Sequence, residues 1–391
     1  MTPAARLQAA IEIVDGVIQA ARGGGAAADT LIQRYFRDRR YAGSKDRRAV
    51  RDWVYAAIRR AGEVPASGRA ALIGLAEDRP ELAALFDGSS HAPAPIAPGE
   101  KGASASALPA WLEAKLATHL DRSEFPALLE RAPLDLRANR LKIDRAGLLA
   151  KLPEAVSGRH AADAFRLPEG TQVDRMAEWQ EGLFEVQDEG SQLLAEACAA
   201  KPGMTVVDLC AGAGGKTLAL AAAMGNVGRL IACDVDRNRL AGLAPRAARA
   251  GAAVEERLLD GGRERQALTD LIGAADCVLV DAPCSGSGTW RRNPEARWRL
   301  TPATLDRLVK LQAHVLEAAA ELVKPGGALI YATCSLLIEE GAEQVDRFLV
   351  SHADFQPEAL SFGRRSGAGT MLTPAHDGTD GFFVARLVRT C

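Results

Sequence analysis

Two cysteines stand where apolar runs give way to polar loops. Cys284 follows one such run in the sequence DAPCSG, and Cys334 follows another in the sequence ATCSL. A lone cysteine is most often a small buried apolar residue, and we interpret Cys198, Cys233 and Cys277 in that way. Cys284 and Cys334 instead begin polar loops, so we expect both thiols to lie where a substrate binds.

One reaction with a specific need for a thiol is the methylation of carbon 5 of a pyrimidine. That carbon is too weak a nucleophile to attack a sulfonium methyl group unaided, but addition of a thiolate to carbon 6 makes the ring an enamine that can attack. A second group must then remove the carbon 5 proton so that the thiolate can leave. Asp281 would favour the addition from beside the ring nitrogen, and Lys216 would assist with its charge. The residue types alone do not show which of the two thiols is the nucleophile.

A glycine-rich turn with acidic residues around it predicts a site for an adenosine-containing ligand. The segment 208–217 reads DLCAGAGGKT, and its glycines let the backbone approach a ligand before a helix begins. A P-loop would need glycine at Cys210, and a dinucleotide fingerprint would need glycine at Thr217. Asp234, which ends the next predicted strand, can accept hydrogen bonds from a ribose diol. S-adenosylmethionine, which has no phosphate, fits best; a plain glycine-rich connection is the alternative.

Short apolar runs alternate with helical patterns in the second half of the chain. Because uninterrupted apolar strands that alternate with helices form parallel sheets covered on both faces, we predict an α/β fold with a doubly wound sheet. Ligands of such sheets bind at the carboxyl ends of the strands, where both cysteines and the glycine turn fall. The predicted strands are 206–209, 230–233, 254–259, 278–280 and 328–332, and the predicted helices are 215–224, 236–250, 303–323 and 339–350.

The composition along the chain predicts four segments. Residues 1–90 have helical apolar spacing, 91–107 have the Pro, Gly, Ser and Ala content of a linker, 108–178 suggest a small α+β module, and 179–391 form the α/β domain. Between Leu31 and Arg60, ten Lys and Arg against three Asp and Glu leave a net charge of +7 among several aromatic residues. Such a segment suits a polyanion such as RNA, although a solvated helix face would look the same.

The overall composition excludes several classes of protein. The chain has 391 residues, 48% of them apolar, with 48 Lys and Arg against 50 Asp and Glu, as in ordinary folded proteins. Glu12 and Asp15 interrupt the start of the chain before a signal peptide could form, and no long uncharged apolar stretch follows. Seven cysteines without CxxC spacing indicate neither a disulfide framework nor a zinc site. We expect a monomer in the cytoplasm, with no membrane span and no metal.

Three motifs in this order carry a family resemblance. DLCAGAGGKT, DAPCSGSGTWRRNPE and ATCSL resemble the motifs of the RsmB/NSUN family of RNA 5-methylcytosine methyltransferases, and QDEGSQL at 187–193 resembles the segment before the cofactor turn in that family. The resemblance covers roughly residues 130–391. It implies a Rossmann-like class I methyltransferase sheet, S-adenosylmethionine as cofactor and RNA, in particular small-subunit ribosomal RNA, as substrate.

The resemblance also implies roles for individual residues. Cys334 would be the nucleophile, Cys284 would assist proton removal or product release, and Asp281 would contact the cytosine. DNA cytosine methyltransferases use a Pro-Cys nucleophile instead, and Pro283 with Cys284 would fit that pattern equally well. Many family members carry proline where this chain has Ala213, a change that keeps the backbone path. The residues implied to surround the cofactor are Cys210, Ala211, Gly212, Ala213, Gly214, Gly215, Lys216, Asp234, Arg239, Asp260 and Asp281.

Contacts with RNA are expected in three places. Residues 1–90 resemble a NusB-like RNA-binding domain, and 108–178 would be RRM-like, without the usual aromatic stacking motif. Arg291 and Arg292, close to Cys284 in sequence, are predicted to bind RNA, whereas Trp298 is expected to anchor in the core. Two other functions stay open. One is an NAD-dependent oxidoreductase, and the other is a catalytically silent RNA-binding assembly factor, which would need neither thiol.

Overall fold

The chain forms two units in the computed structural model, which describes residues 1–390. The helical unit consists of Met1–Arg131 and Thr289–Thr301, and the sheet unit consists of Ala132–Gly288 and the chain from Pro302 onward. These boundaries differ from the predicted segments: the first part of 108–178 joins the helical unit, and the rest of it joins the sheet unit.

The helices and strands are numbered in chain order. The helices are α1 (Pro3–Gly23), α2 (Ala28–Arg37), α3 (Ser44–Arg60), α4 (Gly68–Asp78), α5 (Pro80–Ala83), α6 (Ala110–Leu116), α7 (Arg145–Lys151), α8 (Ala177–Gln180), α9 (Glu189–Glu196), α10 (Gly215–Met224), α11 (Arg237–Leu240), α12 (Leu243–Ala250), α13 (Glu264–Ala267), α14 (Ala296–Arg299), α15 (Pro302–Leu322), α16 (Ala342–Ser351) and α17 (Pro374–Asp377). The strands are β1 (Leu134–Ala138), β2 (Val156–Ser157), β3 (Ala164–Leu167), β4 (Phe184–Val186), β5 (Thr205–Asp208), β6 (Arg229–Asp234), β7 (Glu255–Leu258), β8 (Ala275–Asp281), β9 (Val323–Thr333), β10 (Phe355–Glu358), β11 (Arg364–Ser366), β12 (Gly369–Leu372) and β13 (Phe382–Arg389).

The first ninety residues of the helical unit are helical, as their apolar spacing predicts. Thr2 caps α1 by accepting a hydrogen bond from the Ala5 amide at 3.1 Å, and the apolar faces of α1, α3 and α4 bury Val14, Val54 and Leu72. The likeness of this bundle to a NusB-like domain stays a prediction.

Residues 91–107, predicted to be a linker, have no regular structure but are attached to the helical unit. The Ala103 amide donates to the Ala70 carbonyl at 2.8 Å, and the Ser106 amide donates to the Arg60 carbonyl at 3.0 Å. The composition therefore predicts the irregular backbone of this segment correctly. It does not predict the hydrogen bonds that hold the segment against the helices.

The segment Thr289–Thr301 belongs to the helical unit because its side chains complete the end of α3. The Arg297 guanidinium, fully buried, donates to the carbonyls of Ile58 at 2.6 Å and Ala61 at 2.9 Å. Those carbonyls lie at the C-terminal end of α3, where helical partners are absent. The Trp298 indole also donates to Ala61, at 2.9 Å, and its ring packs in the helical core, as predicted.

A small antiparallel sheet and a large mixed sheet form the sheet unit. The small sheet has the order β2-β3-β1-β4, and its core contains the edge-to-face ring pair of Phe165 and Phe184. This sheet overlaps the α+β module predicted for 108–178 only in part, because it starts at Leu134 and ends at Val186. The RRM likeness stays a prediction. The large sheet has the order β11-β12-β13-β9-β8-β5-β6-β7, with β10 also paired to β13.

The large sheet confirms the five predicted strands and extends them. Strands β5 to β9 are parallel, with β5 between β6 and β8, so the strand order reverses at β5 as in doubly wound folds. The sheet is not wholly parallel, because the final strand β13 pairs antiparallel with β9. Strands β10 and β12 pair antiparallel with β13, and β11 pairs antiparallel with β12. The predicted helix 236–250 is two helices, α11 and α12, separated near Gly242.

Residues 1–390 contain neither a candidate membrane-spanning helix nor a candidate metal-binding cluster. No helix in this range combines the length and apolar content that a bilayer crossing requires. No group of three or more His, Cys, Asp or Glu side chains in the same range is arranged to hold a metal ion.

Candidate active site

The two cysteine loops meet at the carboxyl edge of the large sheet. Cys284 follows β8 and Cys334 follows the neighbouring parallel strand β9, and their Sγ atoms lie 3.4 Å apart. The Gly288 amide donates to the Cys334 carbonyl at 3.0 Å, which ties one loop to the other. Both cysteines are half-buried. The structure thus brings together the two thiols that the sequence places at strand ends.

The charges around the thiols differ. The pKa of Cys284 is raised well above its ordinary value, first by the hydrogen-bonded Cys334 sulfur, then by burial and by the Glu340 carboxylate. A charge on Cys334 also contributes to raising the pKa of the Lys216 ammonium group, so Lys216 lies close enough to this thiol to interact with it. Which of the two thiols is the nucleophile stays a prediction.

Lys216 and Asp281 form an ion pair beside the thiols. The Lys216 Nζ atom lies 2.7 Å from Asp281 Oδ2, and the Lys216 side chain is 11% exposed against 32% for Asp281. Burial alone would lower the pKa of Lys216, but the Asp281 carboxylate raises it above its ordinary value. Lys216 therefore stays charged while the more exposed carboxylate faces the site.

Two glycines let the backbone turn tightly after β5. Gly212 has φ +55° and Gly214 has φ +82°, a region that side chains disfavour. A Cβ atom on Gly214 would lie 2.1 Å from Leu243 Cδ1, and one on Gly212 would lie 2.6 Å from Arg239 Nη2. The Asp234 carboxylate accepts a hydrogen bond from the Gly212 amide at 2.7 Å. Arg239 and Asp234 thus lie against the turn, and their roles toward a cofactor stay a prediction.

Asp208 ends β5 beneath this turn. Its Oδ2 atom accepts from Thr217 Oγ1 at 2.7 Å, while its buried Oδ1 atom has no hydrogen-bond partner within residues 1–390. Burial raises the pKa of Asp208 to about 7. Burial, and then the Asp208 charge, also raise the pKa of Cys210 well above its ordinary value. Cys210 therefore stays a neutral thiol that lines the turn.

The turn and its acids fit the chemistry of S-adenosylmethionine. The Asp234 carboxylate lies beside the turn, and each of its oxygens keeps a lone pair beyond its hydrogen bonds from Gly212 and Asp236. Val235, next to this acid, is 57% exposed and offers an apolar surface that the sequence did not single out. Asp260 is exposed after β7, at the same edge of the sheet.

A buried polar network behind the thiols was missed by the sequence prediction. Glu340 is fully buried and its carboxylate accepts hydrogen bonds from the amide of Ser285 at 2.8 Å and from its hydroxyl at 2.5 Å. Gln312 Nε2 donates to the same carboxylate at 3.0 Å. A glutamate in the sequence IEEG has no local feature that distinguishes it from a solvated residue, so only the fold reveals it.

The predicted RNA-binding arginines lie in the helical unit. Arg291 is 6% exposed and Arg292 is half-buried, so Arg292 offers more of its side chain to a ligand. The neighbouring Arg297 and Trp298 serve the packing described above. RNA contact by Arg291 and Arg292 stays a prediction.

Comparison with known proteins agrees with this geometry. A family described as 16S rRNA methyltransferase RsmB/F matches residues 195–388. The ribosomal RNA small subunit methyltransferase B of Sodalis glossinidius is 32% identical, over 81% of this chain and 74% of that protein. A probable ribosomal RNA small subunit methyltransferase B from Synechocystis is 36% identical, over 65% of this chain and 59% of that protein. The crystal structure of PH0851 is 25% identical with a TM-score of 0.78, over 97% of this chain and 98% of that chain.

The fold and these likenesses define an α/β Rossmann-like methyltransferase. The chain belongs to the RsmB/F methyltransferase family, which confirms the resemblance carried by its three motifs. It spans less than two thirds of the length of the Synechocystis relative, 59%.

Proposed function

We propose that this chain methylates carbon 5 of cytosine in RNA, with small-subunit ribosomal RNA as the substrate and S-adenosylmethionine as the methyl donor. The observation that carries the proposal is the 3.4 Å contact between the sulfurs of Cys284 and Cys334 beside the Lys216–Asp281 pair. Neither an RNA-binding assembly factor nor hydride transfer by an NAD-dependent oxidoreductase needs such a pair of thiols. The names of the methyltransferase relatives support the same reaction.

Cys334 is the nucleophile in this proposal. Its thiolate forms a carbon–sulfur bond at carbon 6, and the electron pair of the carbon 5–carbon 6 double bond becomes available at carbon 5 for the methyl group. Lys216 stabilises the thiolate before the attack. Asp281, the exposed member of the ion pair, would take part as an acid: once protonated, it donates a proton to the ring nitrogen, where negative charge develops on addition.

Cys284 serves the second half of the reaction. It holds a proton while Cys334 is a thiolate, because the neighbouring sulfur is the largest cause of its raised pKa. Once the carbon–sulfur bond forms, Cys334 carries no charge and that cause disappears. Cys284 can then lose its proton to solvent and take the carbon 5 proton, after which the carbon–sulfur bond breaks and Cys334 leaves as a thiolate.

The glycine turn would hold the methyl donor. S-adenosylmethionine supplies an electrophilic methyl group when it is bound. The backbone of residues 210–216 would approach it closely, Asp234 would accept hydrogen bonds from its ribose, and the exposed side chain of Val235 would cover its adenine ring. Arg239, Asp260 and Asp281 complete the set proposed for this site.

The helical unit would bind the RNA through a basic face. Tyr41 is 73% exposed, and an exposed aromatic ring among cations can stack on an unpaired base. Phosphate neutralisation by such cations releases counterions and favours binding. The exposed cations of this face are Arg34, Arg37, Arg40, Lys45, Arg47, Arg48 and Arg51.

The deciding experiment incubates the protein with tritiated S-adenosylmethionine and ribosomal RNA. We expect the wild type to label the RNA, Cys334→Ala to transfer no label, and Cys284→Ala to accumulate a protein–RNA adduct that survives denaturation. Cys198→Ala, which changes a buried cysteine in the core, should behave as wild type. RNA binding without label transfer by the wild type would favour the assembly-factor alternative, and transfer by Cys334→Ala at the wild-type rate would reverse the roles of the thiols.

A further inference from the structure

The carboxylate of Glu340 is the centre of the polar network behind Cys284. It accepts from the backbone N–H and the side-chain O–H of the same residue, Ser285, at 2.8 and 2.5 Å. Two bonds to one residue fix both its backbone and its side chain. Because Ser285 directly follows Cys284, they also fix the loop that carries this thiol.

Glu340 carries its charge in an unusual place. It is fully buried, and within residues 1–390 its carboxylate is held by Ser285 and Gln312 rather than by a cationic side chain. Burial of a carboxylate without an ion pair is unfavourable, and an apolar residue would stabilise the fold at least as well. A carboxylate at this position therefore has a use beyond packing.

The network also links the two cysteine loops. Each cysteine is followed by a serine, and the hydroxyls of Ser285 and Ser335 lie 3.2 Å apart. Ser287 approaches Ser335 at 2.9 Å and accepts from the Leu336 amide at 2.8 Å. The position of one sulfur relative to the other therefore depends on hydrogen bonds that converge on Glu340 through Ser285.

We propose that Glu340 is a positioning residue that holds Cys284, through Ser285, in the place from which it acts on the covalent adduct. This inference rests on the proposed cytosine methylation. Glu340 lies away from the cofactor turn in the network, so its loss should impair release of the adduct rather than binding of the methyl donor.

The charge of Glu340 acts on Cys284 as well. The titratable groups that face the Cys284 thiol are Cys334, Glu340 and Tyr331, whose hydroxyl donates to the Glu340 carbonyl at 2.7 Å. The Glu340 carboxylate contributes to the raised pKa of Cys284. Removal of this charge should lower the pKa of Cys284, an effect that a purely mechanical support would not have.

The test compares Glu340→Gln with Glu343→Gln. Glutamine keeps the shape but removes the charge and presents an amide N–H₂ to the donors of Ser285. We expect Glu340→Gln to form the protein–RNA adduct, to release it roughly tenfold to a hundredfold more slowly, and to bind S-adenosylmethionine as wild type does. Glu343, paired at the surface with Arg347, is the matched control and should leave all three measurements unchanged.

A second variant and a second readout keep the test decisive. Ser285→Ala removes the hydrogen bond from the Ser285 hydroxyl to Glu340 and leaves the buried glutamate itself unchanged. This variant should also release the adduct more slowly, and it replaces Glu340→Gln in the test if that variant fails to fold. The rate of Cys284 alkylation by iodoacetamide, followed against pH by mass spectrometry, needs no RNA. We expect its midpoint to fall in Glu340→Gln.

The outcomes separate the two proposals. If the wild type methylates no RNA but the alkylation midpoint of Cys284 falls in Glu340→Gln, the proposed function is wrong, and only the effect of the Glu340 charge on Cys284 stands, without a role in release of an adduct. The role of Glu340 would be overturned by two results together. Ser285→Ala would release the adduct at the wild-type rate, and folded Glu340→Gln would show the wild-type midpoint for alkylation of Cys284.

Discussion

Lys216 Nζ lies 2.7 Å from Asp281 Oδ2, so the first residues after the glycine turn are joined to the end of β8. One residue is on the helix that follows β5, and the other is at the end of the neighbouring parallel strand. The ion pair therefore spans the point where the strand order reverses, between the proposed cofactor site and the two thiols.

Asp281→Asn should reduce methyl transfer by at least about a hundredfold, because an amide cannot deliver a proton to the ring nitrogen as a carboxylic acid can. Single-turnover transfer of tritium to RNA measures the effect. Asp276 is a matched control, since it lies at the other end of β8 and also pairs with a lysine, Lys324, at 2.5 Å. Asp276→Asn should retain the wild-type rate; an equal loss in both variants would argue for a general effect on β8.

The two active-site thiols should join under a mild oxidant. Diamide accepts two electrons and two protons, and the 3.4 Å contact leaves Cys284 and Cys334 needing little movement to form a disulfide. Intact mass spectrometry should show the loss of two hydrogens, and methyl transfer should cease until dithiothreitol restores it. Cys284→Ala should form no such bond. Activity that persists in the fully oxidised protein would contradict the essential role of these thiols.

Arg297→Met should destabilise the protein by about 3 kcal/mol, because several buried carbonyls at the end of α3 lose their donor. The guanidinium is fully buried and donates to Ile58 and Ala61. Urea unfolding followed by Trp fluorescence measures the difference. Arg40→Ala removes an exposed arginine and should change stability by less than about 0.5 kcal/mol. Equal stability of the two variants would show that the carbonyls find other partners.

Asp208 should make the folded protein less stable as pH rises. Its pKa is raised from 3.8 to about 7 in the folded protein. Between these two pH values Asp208 is ionised in the unfolded state and still protonated in the folded state. Stability is therefore greatest below the ordinary pKa and falls until pH passes the folded value. We expect urea unfolding of the wild type to lose stability relative to Asp208→Asn between about pH 4 and about pH 8. Parallel pH dependence in the two proteins would contradict this assignment.

The basic face of the helical unit should govern the salt dependence of RNA binding. Replacement of the exposed Arg40, Lys45 and Arg48 by alanine should weaken binding of every RNA tested and reduce the slope of log K against log salt by about 2 to 3. Filter binding at several salt concentrations measures the slope. Substitution of Lys151, an exposed lysine of α7, by alanine is the control. An unchanged slope after the triple substitution would place the RNA elsewhere.

The parts of the site that the sequence predicts are local in the chain. Apolar runs indicate the parallel strands, and the residues that follow each run, Cys284 and Cys334 among them, must share one edge of the sheet because parallel strands end there. The glycine turn is recognised for the same reason, since Gly212 and Gly214 need a backbone conformation that few residues adopt. Topology alone therefore brings these residues close together.

The parts that the sequence does not predict depend on contacts between distant residues. Glu340 becomes significant only when the loop after β9 places it against Ser285, and its neighbours in sequence give no indication of this contact. Arg297 resembles a surface cation in a basic motif, yet it is buried against α3, more than two hundred residues earlier. Periodicity describes the faces of single elements, and it contains no information on which element covers another.

The chain departs from the sheet unit at Gly288 and returns to it at Pro302, and everything between folds with the helices. A fragment beginning at Ala132 would therefore leave Trp298, which packs in the helical core of the full chain, without that core. Such a truncated protein should aggregate when expressed alone. The helical unit therefore cannot be removed simply by shortening the chain from its amino terminus, because part of it is inserted just after Cys284.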